Sequence, residues 1–166
     1  ASEGGGTIYF PAGTYLTATI HMKSNITLHL ESGAIVRFSD RFEDYLPFVT
    51  ARWEGTVMQT LSPLIYAHSA DNLTITGRGT LDGNGLKWWL WEFETRKVIK
   101  ENGGKLPSLD KLQQMWVDAN KDLEISDYYK PSLERKMFRP PFIQFYECTN
   151  ILIENVKIIN SPFWTV

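Results

Sequence analysis

The stretch "PLIYAHSADNLTI", Pro63 to Ile75, returns as "PFIQFYECTNILI", Pro141 to Ile153, at an offset of 141 − 63 = 78 residues. A proline, an isoleucine, a small residue and an asparagine hold the same places in both. The ending appears a third time as "NITLHL" from Asn25. Each copy is an asparagine followed by a short β-prone run with alternating aliphatic residues. Self-similarity on this scale marks stacked units, each burying one face against the next. Asn25 and Asn72 stand 72 − 25 = 47 residues apart, which reads as two units of about 23 residues. The offset of 78 then reads as one unit plus an insertion of about 55.

Units of that length built from short strands predict an all-β fold, a right-handed parallel β-helix. Like residues then stack from coil to coil. Asparagine suits a recurring turn, because it tolerates left-handed backbone and its amide can bond the copies above and below. The predicted inward positions are Ile26, Leu28 and Leu30, then Leu73 and Ile75, then Ile151, Ile153, Val156 and Ile158. An antiparallel sandwich also uses many short strands, but it does not call for the asparagine register. The chain therefore reads as one β-helix domain over 1–166.

Between about 85 and 139 the alternation disappears and helical patterning replaces it. One helix is predicted from Leu86 to Lys100, ending at Gly103 and Gly104. A second is predicted with Ser108 as its cap and Leu109, Leu112, Met115, Trp116 and Ala119 on one face. "GTLDGNGLKWWLWEF", Gly79 to Phe93, is the junction where the coil gives way to this insertion.

The 166 residues suffice for one domain with a real core. A net charge of −2 lacks the basic excess that nucleic acid asks for. No apolar run approaches the roughly 20 residues that span a bilayer. Cys148, the single cysteine, cannot form an intrachain disulfide and reads as a structural thiol. His21, His29 and His68 lack metal-ligand spacing, and His29 reads as a solvated strand residue. No cofactor or metal is expected. "NIT" and "NLT" match the glycosylation sequon, but their asparagines hold the turn position.

Glycoside hydrolysis needs two carboxyl groups, one kept protonated and one ionised. No two aspartates adjoin or stack on one rung: Asp71 and Asp82 read as turn residues of different character, and Asp110, Asp118 and Asp122 fall on helical patterns. Asp82, between Gly79 and the pair Gly83 and Gly85, reads as a turn residue. The aromatic cluster is more suggestive. Trp88, Trp89 and Trp91 cannot share one helix face, so at least one should pack on the coil; one reading leaves another ring at the surface for a sugar, and the other has all three anchoring the insertion to the coil. Arg52, Arg139 and Lys87 are candidates to meet acidic groups on a substrate. The expected substrate-binding set is Arg52, Trp88, Trp89, Trp91 and Arg139.

The segments "GGGTIYFPAGTY", "KSNITLHLESGAIV", "SPLIYAHSADNLTITGRGTLDGNGLKWW" and "RPPFIQFYECTNILIENVKIINSPFW" together resemble the N-terminal part of the polygalacturonase-like glycoside hydrolases, family 28. The resemblance covers nearly all of the chain outside the insertion. It is closest to bacterial members with a helical insertion at this place. It implies a right-handed parallel β-helix and hydrolysis of pectic polysaccharide or oligogalacturonide with inversion, without a cofactor. The family's catalytic residues lie in N-T-D, D-D, G-H-G and R-x-K motifs on later coils. None of the four occurs in this sequence, so no catalytic residue carries over, and they are expected beyond Val166. The segment alone is expected to be inactive and prone to aggregate. A secreted or periplasmic location follows from the substrate class, and exo action from an insertion placed to block one cleft end. Two other readings stand beside this one: a β-helix lyase, which would need a calcium-binding carboxylate cluster, and a non-catalytic adhesin or tailspike.

Overall fold

The computed structural model describes residues 4–53, 55–104, 106–123 and 139–166. The chain winds as a coil whose turns lay strands on three stacks. The first holds β1 (Gly6–Phe10), β4 (Ile26–Leu30), β9 (Asp71–Gly77) and β12 (Thr149–Ile153), in that spatial order. The second holds β2 (Gly13–Thr17), β5 (Ala34–Phe38), β10 (Thr80–Asp82) and β13 (Lys157–Ile159). The third holds β3 (Ile20–His21), β8 (Ile65–His68) and β11 (Ile143–Tyr146). Every pairing within the stacks is parallel. This is the expected parallel β-helix.

The asparagine register holds atom by atom. Asn25, Asn72 and Asn150 have φ of 64°, 58° and 52°, the left-handed region that asparagine enters more readily than other side-chain-bearing residues. Asn72 Nδ2 donates to Asn25 Oδ1 at 2.7 Å, and Asn150 Nδ2 donates to Asn72 Oδ1 at 2.6 Å. Turn chemistry and coil stacking therefore come from one residue type.

The unit length differs from the sequence reading. Gly6 faces Ile26, so a plain coil spans 26 − 6 = 20 residues. Thr27 faces Thr74 directly, so the 47-residue offset is one coil and not two. The surplus is an excursion: a 3-10 turn, Phe42–Tyr45, and an antiparallel hairpin of β6 (Val49–Trp53) and β7 (Thr56–Thr60). The next coil carries the helical excursion, α1 (Leu86–Glu101) and α2 (Lys111–Asn120). The rest of the expected insertion, 124–138, lies outside the described residues. Both excursions leave after a second-stack strand and return at a third-stack strand. A recurring asparagine marks where a coil begins, but not how much chain is spent before the next.

Leu28, Leu30, Leu73 and Ile75 are fully buried, as their alternation predicts. Ile26, Ile153, Val156 and Ile158 are half-buried, and Ile151 is 43% exposed. Ile151 stands opposite Leu73, so it sits on the inward register. It stays exposed because β12 is the outermost strand of its stack. His29 is corrected too: it is half-buried, with its ring stacked on Tyr9 at 5.3 Å.

At the junction, Gly83 and Gly85 serve close approach and not a left-handed turn. A Cβ on either would lie 2.6 Å from the Asn160 carbonyl oxygen of the next coil. The left-handed residue between them is Asn84, at φ 49°. Helix α1 ends as expected, with Gly103 and Gly104 at positive φ. Helix α2 starts later than expected. Asp110, not Ser108, is its cap, accepting from Gln113 N at 2.8 Å while Gln113 Oε1 accepts from Asp110 N at 2.8 Å. This reciprocal capping box satisfies two end donors and outcompetes a lone serine. The buried face is accordingly Gln113, Trp116 and Asn120, with Met115 and Ala119 exposed.

Candidate functional site

The two excursions build a wall beside the third stack. Gln144 on β11 clamps the hairpin: Arg52 N donates to its Oε1 at 3.0 Å, and its Nε2 donates to the Arg52 carbonyl at 2.7 Å. Tyr66 on β8 adds a bond to the Thr50 carbonyl at 2.6 Å. On the far side, Asn120 of α2 bonds both the N–H and the carbonyl of Gln59, each at 2.8 Å. Trp53, Met58 and Trp116 form a small second core between hairpin and helix.

Between this wall and β11 lies an open groove of about 440 Å³, lined by Arg52, Gln144, Tyr146, Glu147, Phe163 and Trp164 among others. Arg52 is exposed there, and Trp164 is 53% exposed. Phe163 stacks on Trp164 (5.1 Å, 8°) and on Trp53 (5.7 Å, 9°), so the indole continues a row of parallel rings. Burial and the neighbouring Glu147 charge raise the Tyr146 phenol above its ordinary value, and Arg52 opposes them. Tyr146 is therefore a neutral O–H at physiological pH. Glu147 also meets His68 at 3.3 Å. An arginine, a phenol and an exposed indole along one groove suit a carboxylated sugar, with the charge met by guanidinium and the ring C–H face by indole. Glu147 is the one carboxylate among the described lining residues, whereas hydrolysis requires a pair.

Of the five expected binding residues, the groove holds Arg52 alone. Trp88 has no exposed surface. It stacks on Phe42 at 4.1 Å and meets Tyr45 edge-on at 5.6 Å, so it anchors α1 and has no face for a sugar. Trp91 is half-buried and meets Phe42 edge-on at 5.9 Å. Trp89 is half-buried, with its indole N–H bonded to the Ser161 carbonyl at 2.9 Å. Arg139 donates to the Pro162 carbonyl at 2.7 Å, lies 5.1 Å over the Phe163 ring, and has Glu92 at 4.0 Å. Its side chain is only 17% exposed. Lys87 sits over the Phe42 ring. Trp88 and Trp91, three residues apart, share the face of α1 that meets Phe42, and Trp89 turns to the Ser161 carbonyl, while Leu86, Leu90 and Phe93 are exposed.

Trp164, which the sequence reading did not place among the candidates, lines this groove. The missing signal was depth, since nothing in the sequence says which aromatic ends exposed. Asp82 is structural, and more than a turn residue. It is 4% exposed and accepts from Arg37 Nε at 3.0 Å, Asn84 N at 3.0 Å and Asn160 Nδ2 at 2.8 Å. Burial pushes its carboxyl up, but these three donors outweigh burial and hold it below the ordinary value. Cys148 is half-buried, its Sγ 3.3 Å from the Tyr146 carbonyl. Among the described residues no three His, Cys, Asp or Glu side chains converge as a metal site, and no helix is long and apolar enough to cross a membrane.

The chain is similar to known proteins along its length. A probable polygalacturonase of Vitis vinifera is 28% identical over 171 residues, which cover 99% of this chain and 27% of that protein. The hyperthermoactive exopolygalacturonase of Thermotoga maritima is 38% identical with a TM-score of 0.71, over 99% of this chain and 36% of that one. The family 28 exopolygalacturonase of Yersinia enterocolitica shares the fold at a TM-score of 0.61 and 21% identity, over 97% of this chain and 30% of that one. The chain thus spans well under half the length of these relatives. The sequence model of glycosyl hydrolases family 28 matches residues 6–162, and the chain belongs to that family.

Proposed function

We propose that this chain forms the scaffold and one wall of the substrate cleft of a polygalacturonase-like hydrolase acting on pectic polysaccharide. The observation that carries the reading is the groove beside β11, where Arg52 and the exposed Trp164 ring stand together. Polygalacturonate carries one carboxylate per sugar, and these are the two groups such a unit requires. The hydrolytic carboxylate pair, one acid and one base for an inverting reaction, is assigned to residues beyond Val166. The excursions wall one side of the groove, which supports a reading of action at chain ends. A pectic substrate supports a secreted or periplasmic location.

Calorimetric titration with trigalacturonate, with cellotriose as the uncharged control, tests the reading. The charged trimer should bind and the neutral one should bind at least tenfold more weakly. Arg52→Met should remove most of that preference, since a charge-assisted bond contributes about 1.5–3 kcal/mol. Equal binding of the two sugars, or none, refutes it.

A further inference from the structure

Helix α1 reaches the groove from behind. Trp89 Nε1 holds the Ser161 carbonyl at 2.9 Å. Arg139 Nη1 holds the next carbonyl, Pro162, at 2.7 Å, and its guanidinium lies 5.1 Å from the Phe163 ring centroid. Glu92 on α1 stands 4.0 Å from Arg139 Nε and is itself 7% exposed. Phe163 then stacks on Trp164. The contacts run without a gap from α1 to the exposed indole.

The backbone around Trp164 is held by β11 and its approach, since Phe142 N donates to the Trp164 carbonyl at 2.8 Å and Ile143 N to the Thr165 carbonyl at 3.1 Å. Those bonds place the Cα but leave χ1 and χ2 free. The ring plane is set by the Phe163 stack, and Phe163 is set by Trp53 on one side and Arg139 above. A cation over a ring face restrains that ring at little entropic cost when the guanidinium is already pinned. Arg139 is pinned twice, by the Pro162 carbonyl and by Glu92.

We propose that α1, acting through Trp89 and Arg139, sets the plane of the Trp164 indole and thereby how tightly the groove grips an acidic sugar chain. Both are positioning residues, and neither needs to touch the ligand. The effect on grip rests on the groove reading above, whereas the coupling between α1 and the ring does not.

The chain labelled with 5-fluorotryptophan gives six fluorine lines, one for each tryptophan, and Trp164→Phe, Trp88→Phe and Trp116→Phe assign the three that matter. Trp89→Phe keeps an aromatic ring but replaces the indole and its N–H, and Arg139→Met keeps the stem and removes the fork. In each variant the Trp164 line should shift and broaden while the Trp88 and Trp116 lines stay in place, showing an intact fold. Trigalacturonate should bind about three- to tenfold more weakly, the loss of one hydrogen bond or one cation–ring contact. A Trp164 line unchanged in Trp89→Phe and Arg139→Met overturns the proposal. A line moved by the variants but unmoved by trigalacturonate in the unsubstituted chain overturns the grip half and refutes the groove reading.

Discussion

Replacing Asn72 separates the two duties of the asparagine ladder. Asn72 sits at φ 58° and bonds a like amide on each side, at 2.7 and 2.6 Å. Asn72→Ala loses both amide bonds and places a Cβ-bearing residue with no local hydrogen bond in left-handed backbone. The freed Asn25 and Asn150 amides are exposed and return to water, so each lost bond costs only about 0.5 kcal/mol, the low end of the net range. The left-handed backbone adds about 1–2 kcal/mol, for a total of about 2–3 kcal/mol. Asn72→Gly loses the same bonds but removes the strain, and glycine's extra unfolded-state freedom adds about 0.5–1 kcal/mol, for a total of about 1.5–2 kcal/mol. The order Asn, then Gly, then Ala reverses the usual strand-interior rule that glycine is worse than alanine. Urea denaturation followed by far-UV circular dichroism reads this as midpoint shifts at constant slope. Alanine equal to or better than glycine at this position would refute the assignment of Asn72 to a strained, ladder-forming turn.

Asp82→Ala strips three donors of a buried acceptor and should cost about 2–4 kcal/mol. Asp82→Asn, which keeps an acceptor, should cost about 1–2 kcal/mol, because Arg37 is 51% exposed and regains water. Since the folded-state carboxyl titrates below its ordinary value near 4, its contribution should be whole above about pH 4 and fade as pH falls through the folded value. That acid slope should shrink in Asp82→Asn, and an unchanged slope in urea midpoints between pH 3 and 6 argues against the assignment. The Trp88 indole N–H has no hydrogen-bond partner among the described residues. Trp88→Phe should therefore cost about 1–2 kcal/mol against about 3–5 for Trp88→Ala, and equal losses in thermal melts would show that packing on Phe42 is not what matters. Asp110→Ala should cost about 1 kcal/mol through the capping box, while Ser108→Ala should be neutral. The reverse result would return the cap to Ser108.

Local chemistry was legible in the chain wherever one residue type does one job. Asparagine enters left-handed backbone with a bondable amide, so three asparagines followed by alternating aliphatics disclosed the parallel β-helix, its turn corner and the inward faces of β4 and β9. Helix α1 and its glycine end were legible for the same reason. Depth and occupancy were not. Whether 47 residues are two bare coils or one coil carrying a hairpin depends on which strand hydrogen-bonds which, and Thr27 opposite Thr74 decides it. Gly83 and Gly85 look like turn residues until the Asn160 carbonyl is seen to pass where their side chains would stand. The tryptophans of α1 and the indole of Trp164 have the same chemistry. Only packing decides that the first are absorbed by Phe42, Tyr45 and the Ser161 carbonyl, while Trp164 lies on the turn beyond β11 with its ring stacked on Phe163. A sequence carries propensity and period, but exposure is a property of what the rest of the chain has already covered.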